Sequence, residues 1–291
     1  MKDYLTKAYA FNGRVRLYAA NTTTLCHEAQ TIHKLWPSSA AALGRLLTGG
    51  VIMGAMYKGE QELTIRVESN GPIEGMVVTT NAKGDVRGYV GNPKLFFQHD
   101  DGKINVSQAV GQGNLHVTKD VKVRDHFTST AALQTGEIAE DLAYYFTASE
   151  QIPSAVSLGV KVNPDNTIAQ AGGFILQRMP GCPVETIEHI ERKLQTLQPV
   201  STMLEEGYTP EQMIDTITDG DHECLHTMPL QYSCDCSREK FERGLISLGT
   251  QQLSTIKEED GYIETVCHFC QSKYLFDEQA LDGLINETEN K

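Results

Sequence analysis

Four of the seven cysteines stand in two close pairs, Cys234-Asp235-Cys236 and Cys267-His268-Phe269-Cys270, with 30 residues between the pairs. Two short-spaced pairs at such a separation form the pattern of a four-thiolate zinc site. That pattern is a strict constraint, because all four sulfurs must converge on one point. The second pair lies between two β-prone runs, residues 262–266 and 273–276. A strand–knuckle–strand arrangement there would present both sulfurs to one metal. After the first pair, Ser237 suits a helix N-cap, with Phe241, Leu245 and Leu248 facing inward. A further helix is expected from about residue 277 to 286. Residues 232–291 therefore read as a small C-terminal domain holding one Zn2+ per chain through Cys234, Cys236, Cys267 and Cys270.

Two features make this site more than a clip. A C-x-C pair can close only a small, strained disulfide, which is more easily reduced than a relaxed one. Four thiolates also hold nucleophilic sulfur ready for peroxide or hypochlorite. Because metal binding energy is folding energy in so small a block, oxidation that releases metal would become local unfolding. A disulfide isomerase use of Cys267 and Cys270 would need a strand-to-helix context, and the flanks read as strands.

The rest of the chain is long enough for a large core, with 40% of its 291 residues apolar. Residues 63–67, 75–80 and 86–90 alternate with period two and read as strands. Residues 155–162 and 168–176 read as a hairpin around Asn163-Pro164-Asp165-Asn166. Helical patterns cover residues 22–36, 38–56 and 137–149. The last places Ile138, Leu142 and Tyr145 on one face. Residues 1–178 are thus predicted to be an α+β core domain, an antiparallel sheet flanked by helices. The apolar stretch 40–57 contains Arg45 and many small residues, and reads as a packed core helix rather than a membrane span. The first residues lack the apolar run of a signal peptide, which places the protein in the cytoplasm.

Met179-Pro180-Gly181-Cys182-Pro183 breaks regular structure. Residues 179–231 then read as an acidic helical linker, with 10 acidic residues against Arg192 and Lys193. Val184, Ile187, Ile190, Leu194 and Leu197 fall on one helical face. Thr209-Pro210-Glu211-Gln212 is a helix start. The segment is too short to own a core, so its apolar faces must rest on a neighbour, and it should be among the least stable parts. Charge changes at the same break. Residues 1–178 carry 17 basic and 16 acidic side chains, whereas residues 179–291 carry 8 and 22. A surface of that sign argues against nucleic acid and against anionic membranes as partners.

The two cysteine pairs, following a long α+β part and an acidic helical segment, resemble the redox-regulated heat-shock chaperonin family, the bacterial thirty-three-kilodalton holdases. The resemblance spans the whole chain. It implies an ATP-independent holdase that is inactive when reduced and zinc-bound. Oxidation would form one disulfide in each pair, here Cys234 with Cys236 and Cys267 with Cys270. Zinc would leave, the linker would unfold, and unfolding client proteins would be protected from aggregation. A homodimer in the oxidised form is also implied.

Other motifs carry less. In Cys26-His27-Glu28 to His33 the histidines are six residues apart, so they cannot face one metal across a single turn. Gly111-Gln112-Gly113 reads as a turn, and Gly44 to Gly50 as close helix packing. Cys182 and Cys224 read as small buried thiols, and His268 as solvated. No catalytic triad or carboxylate pair is visible, so the chain is not read as an enzyme. The competing readings are a thiol–disulfide oxidoreductase using Cys267 and Cys270, and a zinc-ribbon nucleic-acid module, which the acidic charge opposes.

Overall fold

A computed structural model describes residues 2–120 and 127–289. The chain divides into two units, Met1–Ser233 and Cys234–Lys291.

In the first unit the elements run β1 (Tyr4–Ala10), β2 (Val15–Asn21), α1 (Thr23–His33), α2 (Pro37–Gly54), β3 (Glu62–Ser69), β4 (Met76–Asn81), β5 (Asp85–Val90), α3 (Val106–Val110), β6 (Gly113–Asp120) and β7 (Phe127–Ala132). They continue with α4 (Ala139–Ala148), β8 (Ser154–Val162), β9 (Ile168–Arg178), α5 (Val184–Thr196), α6 (Val200–Glu205), α7 (Pro210–Thr218), β10 (His222–Pro229) and β11 (Gln231–Tyr232). The fold is α+β, but the expected sheet is two sheets. One has the order β10-β1-β2-β9-β8; the other is β11-β5-β4-β3-β6-β7. All their pairings are antiparallel except β11 with β5. The β8–β9 turn closes with the Asn163 N–H donating to the Thr167 carbonyl, and Asn166 takes the left-handed conformation its short polar side chain tolerates.

Between the sheets lies α2, buried along almost its whole length. Small residues make that depth possible. A Cβ on Gly49 would stand 2.4 Å from Leu142 Cδ1, and one on Gly50 2.8 Å from Val78 Cγ1. Arg45, the one charge in the helix, is paired with Glu137. In α4 and its cap, Ile138, Leu142 and Tyr145 are all fully buried, as their spacing predicts.

The first sheet has a second apolar face. Leu17, Ala19, Phe174 and Leu176 point away from α2 and pack with Ile190, Met203, Leu204, Met213, Ile214 and Ile217 of α5 to α7. The helices after the Pro-Gly break therefore rest on a borrowed surface. Of the predicted α5 face, Ile190 is buried and Ile187, Leu194 and Leu197 are partly covered, while Val184 stands exposed at the first turn. The predicted α7 start is present in full. The Thr209 hydroxyl accepts from the Gln212 N–H, and the Gln212 side chain accepts from the Thr209 N–H. The expected helical run to residue 231 is not observed. Helix ends at Thr218, the chain turns at Asp219 and Gly220 with positive φ, and β10 pairs along β1. Edge hydrogen bonds to β1 outweigh any helical preference of this polar stretch.

The second unit contains α8 (Arg238–Ile246), α9 (Thr250–Asp260), β12 (Ile263–Val266), β13 (Lys273–Phe276) and α10 (Glu278–Glu289). Ser237 caps α8 through the Lys240 N–H. Leu245, Leu253, Phe276, Leu281 and Leu284 form its buried core, with Phe241 partly covered. Leu248 was expected to face inward and instead lies 41% exposed, because α8 ends at Ile246 and the helical spacing stops with it.

Candidate metal centre

The hairpin β12–β13 fixes one half of the site. Ile263 pairs with Phe276 and Val266 with Lys273, which leaves residues 267–272 to form the knuckle. Within it the Cys267 N–H donates to the Ser272 carbonyl and the Gln271 N–H to the Cys267 carbonyl. Gln271 adopts positive φ, the sharp bend a C-x-x-C knuckle needs. The other half comes from the extended segment before α8, which carries Cys234 and Cys236.

The four sulfurs meet. Their Sγ atoms all lie within 4.8 Å of one another. Cys234 and Cys267 are 3.7 Å apart, and Cys236 and Cys270 3.3 Å. A tetrahedral ion with Zn–S bonds of about 2.3 Å would space its sulfurs by roughly 3.8 Å. The all-sulfur donor set and these distances fit zinc, and these four residues could hold such an ion. Among the described residues this is the one cluster of His, Cys, Asp or Glu side chains close enough to do so.

The thiols are not equivalent. Burial pushes the Cys234 thiol well above its ordinary value, and burial also raises Cys236. At Cys270 burial opposes ionisation too, but hydrogen bonding with the Ser272 hydroxyl and backbone outweighs it and brings the thiol down to about 7. Two hydroxyls touch the cluster. Tyr274 Oη lies 3.2 Å from Cys236 Sγ, and Ser272 Oγ lies 3.2 Å from Cys270 Sγ. Sequence reasoning missed both. Ser272 could have been noticed two places after a ligand, but Tyr274 reaches the site only through the hairpin register.

Residues 3–277 match the family model described as Hsp33 protein. The chain belongs to the Hsp33 family. It is 49% identical to the 33 kDa chaperonin of Bacillus licheniformis, over 98% of this chain and 99% of that one. It is 50% identical to the 33 kDa chaperonin of a Geobacillus species over the full length of both. The crystal structure of the Thermotoga maritima 33 kDa chaperonin, a heat shock protein 33 homologue, superposes over both whole chains with a TM-score of 0.93 at 34% identity. The Hsp33 fold thus accounts for the α+β first unit and the small C-terminal unit alike.

The remaining singled-out residues of this Hsp33-family chain lie apart from the cluster. Cys26 is buried on α1, and burial raises its thiol to about 12. His27 is exposed on the same helix, while the His33 ring lies 3.2 Å from the Tyr232 hydroxyl. Cys182 is buried among the α5–α7 contacts, as expected. Cys224 is not buried: it sits exposed on β10, where the edge strand covers little of its side chains. His268 is exposed between two of the cluster cysteines. Among the described residues no helix is long and apolar enough to cross a membrane.

Proposed function

We propose that this chain is a redox-regulated, ATP-independent molecular chaperone, a cytoplasmic holdase that is inactive when reduced and zinc-bound. The observation that carries the reading is the convergence of four thiols, from a C-x-C and a C-x-x-C pair, inside a unit whose core, among the described residues, has five buried apolar side chains. A unit that small draws its stability from the metal. Bound there, zinc would hold the four thiolates together and lower their reactivity towards protons.

Oxidation by peroxide or hypochlorite would couple Cys234 to Cys236 and Cys267 to Cys270. Each disulfide takes two electrons from two thiolates, and the oxidant is reduced to water or chloride. Disulfide sulfur is a poor ligand, so the four cysteines would no longer hold an ion, and the unit would lose its fold. The chain from α5 to β11 then has no folded anchor at its C-terminal end. Residues 179–231, acting as a linker, would leave the sheet face on which they rest. Their apolar side chains, and the face they vacate, would meet unfolding client proteins. The acidic charge of residues 179–291 keeps such an open form dissolved. The oxidised form is proposed to dimerise, with nucleic acid and membranes not among its partners.

The oxidoreductase alternative has less support. Cys267 and Cys270 occupy the turn between two antiparallel strands, not a strand-to-helix junction that would activate one thiol at a helix N-terminus. The test is a titration of the reduced protein with hypochlorite, following zinc release and suppression of client aggregation on one sample. The two should rise together. Turnover on a dithiol substrate without aggregation suppression would favour the alternative.

A further inference from the structure

The Tyr274 side chain is held in place without regard to any metal. Its backbone pairs with Thr265 across the hairpin, and its ring packs on Phe241 of α8 with centroids 4.9 Å apart. The hydroxyl reaches Cys236 Sγ at 3.2 Å. Against a metal-bound sulfur, which carries no proton, a phenol can act only as donor. The bond therefore places positive hydrogen on the lone pair with which sulfur would attack an oxidant. We propose that Tyr274 is a positioning residue that slows attack by Cys236 on electrophiles, and so sets the oxidant threshold of the switch.

The inference rests on the redox reading of the four-cysteine site for its biological meaning, though not for its chemistry. In the oxidative step, Cys236 sulfur attacks one oxygen of a peroxide. The O–O bond breaks and hydroxide leaves, giving a sulfenic acid. Cys234 sulfur then attacks that sulfur, the S–S bond forms and a second hydroxide leaves. Two thiolates have lost two electrons, and one peroxide has gained them. A hydrogen bond to Cys236 is stronger before the first attack than during it, because negative charge moves from sulfur to oxygen. It thus stabilises the starting state more than the transition state. The hydroxyl also belongs to the second layer around a metal ligand, where such bonds hold the sulfur in place. Ser272 Oγ lies at the same 3.2 Å from Cys270 Sγ, which supplies an internal control on the other pair.

The test uses the reduced, zinc-loaded full chain, its Tyr274→Phe variant and its Ser272→Ala variant. The Phe variant keeps the ring and its contact with Phe241 and removes one oxygen. Each protein is treated separately with iodoacetamide and with hydrogen peroxide. Zinc release is followed with a chromogenic chelator, and early modification is mapped to Cys236 or Cys270 by peptide mass. Tyr274→Phe should speed alkylation at Cys236 by about three- to tenfold, the range expected for partial loss of one charge-assisted hydrogen bond. Zinc release under peroxide should accelerate with it. Ser272→Ala should leave Cys236 alkylation unchanged. Unchanged or slower alkylation of Cys236 in Tyr274→Phe overturns the proposal. Faster alkylation of Cys236, with peroxide releasing zinc from neither protein, upholds the hydroxyl's role and refutes the redox reading instead.

Discussion

Tyr4, on the first strand of the chain, donates a 2.8 Å hydrogen bond from its hydroxyl to the carboxylate of Glu211 in α7. The other Glu211 oxygen accepts from the Thr6 hydroxyl at 2.5 Å. One carboxylate thus ties the helical segment to the edge region of the first sheet. Burial opposes its ionisation, but the Thr6, backbone and Tyr4 hydrogen bonds outweigh burial and hold the carboxyl below its usual value.

The sign of the pH effect follows. A carboxyl with a depressed folded pKa contributes stability above its unfolded value, and that contribution is lost as pH falls through the folded value. Amide protection in residues 210–218 should therefore be steady from neutrality down to roughly pH 4.3 and weaken below it. Glu211→Gln should loosen α7 by about 1 kcal/mol at neutral pH and flatten that part of the acid response. Hydrogen exchange at a series of pH values checks both. A Gln variant with the unaltered acid profile would assign the loss to other carboxylates.

Ile217 is fully buried where α7 meets β1 and β2. Ile217→Ala removes three carbons from that contact and should cost about 3 kcal/mol of local stability. Because α5 to α7 rest on the sheet face rather than on a core of their own, the reduced variant should suppress aggregation in part while retaining its zinc. Ile190→Asp should act in the same direction more strongly, since it would bury an unpaired charge. Aggregation suppression that stays at the reduced wild-type level, with faster exchange in α5 to α7, would separate loosening from client binding.

Metal removal should act first on the C-terminal unit. A strong chelator under reducing conditions is expected to unfold residues 234–291 and to loosen residues 184–229 with them, while residues 62–120 keep their protection. X-ray absorption of the reduced protein should show four sulfurs at about 2.3 Å. Nitrogen or oxygen in that shell would remove one of the four cysteines from the assignment.

Peptide mass mapping after oxidation should find one disulfide within each pair, Cys234 with Cys236 and Cys267 with Cys270. A dominant bridge between the pairs, or one that recruits the exposed Cys224, would require a different route to metal loss.

Sequence pattern reached the cysteine site because spacing alone forces four sulfurs together, and the two strands around the knuckle announced themselves by β-branched and aromatic residues. It reached β3, β4 and β5 because each buries one face and alternates. It did not reach β2. Val15-Arg16-Leu17-Tyr18-Ala19-Ala20-Asn21 is covered on both faces, by α2 on one and by α5 to α7 on the other, so no alternation survives. Strand β10 was hidden for the opposite reason: most of its side chains are exposed, and it is held through backbone pairing with β1. Helix α9 went unread because only Leu253 is fully buried along it. Tyr274 was invisible as a site residue, since its hydroxyl meets Cys236 through hairpin register and not through spacing.

We propose that oxidation of the four-cysteine unit frees the segment spanning α5 to β10. Amide exchange read by mass spectrometry on the full chain, before and after peroxide, with aggregation suppression measured on the same samples, tests it most directly. Residues 184–229 should lose protection as zinc is released, residues 62–120 should keep theirs, and chaperone activity should rise in proportion to that loss. Full aggregation suppression with residues 184–229 still protected would contradict the claim and place the client surface elsewhere.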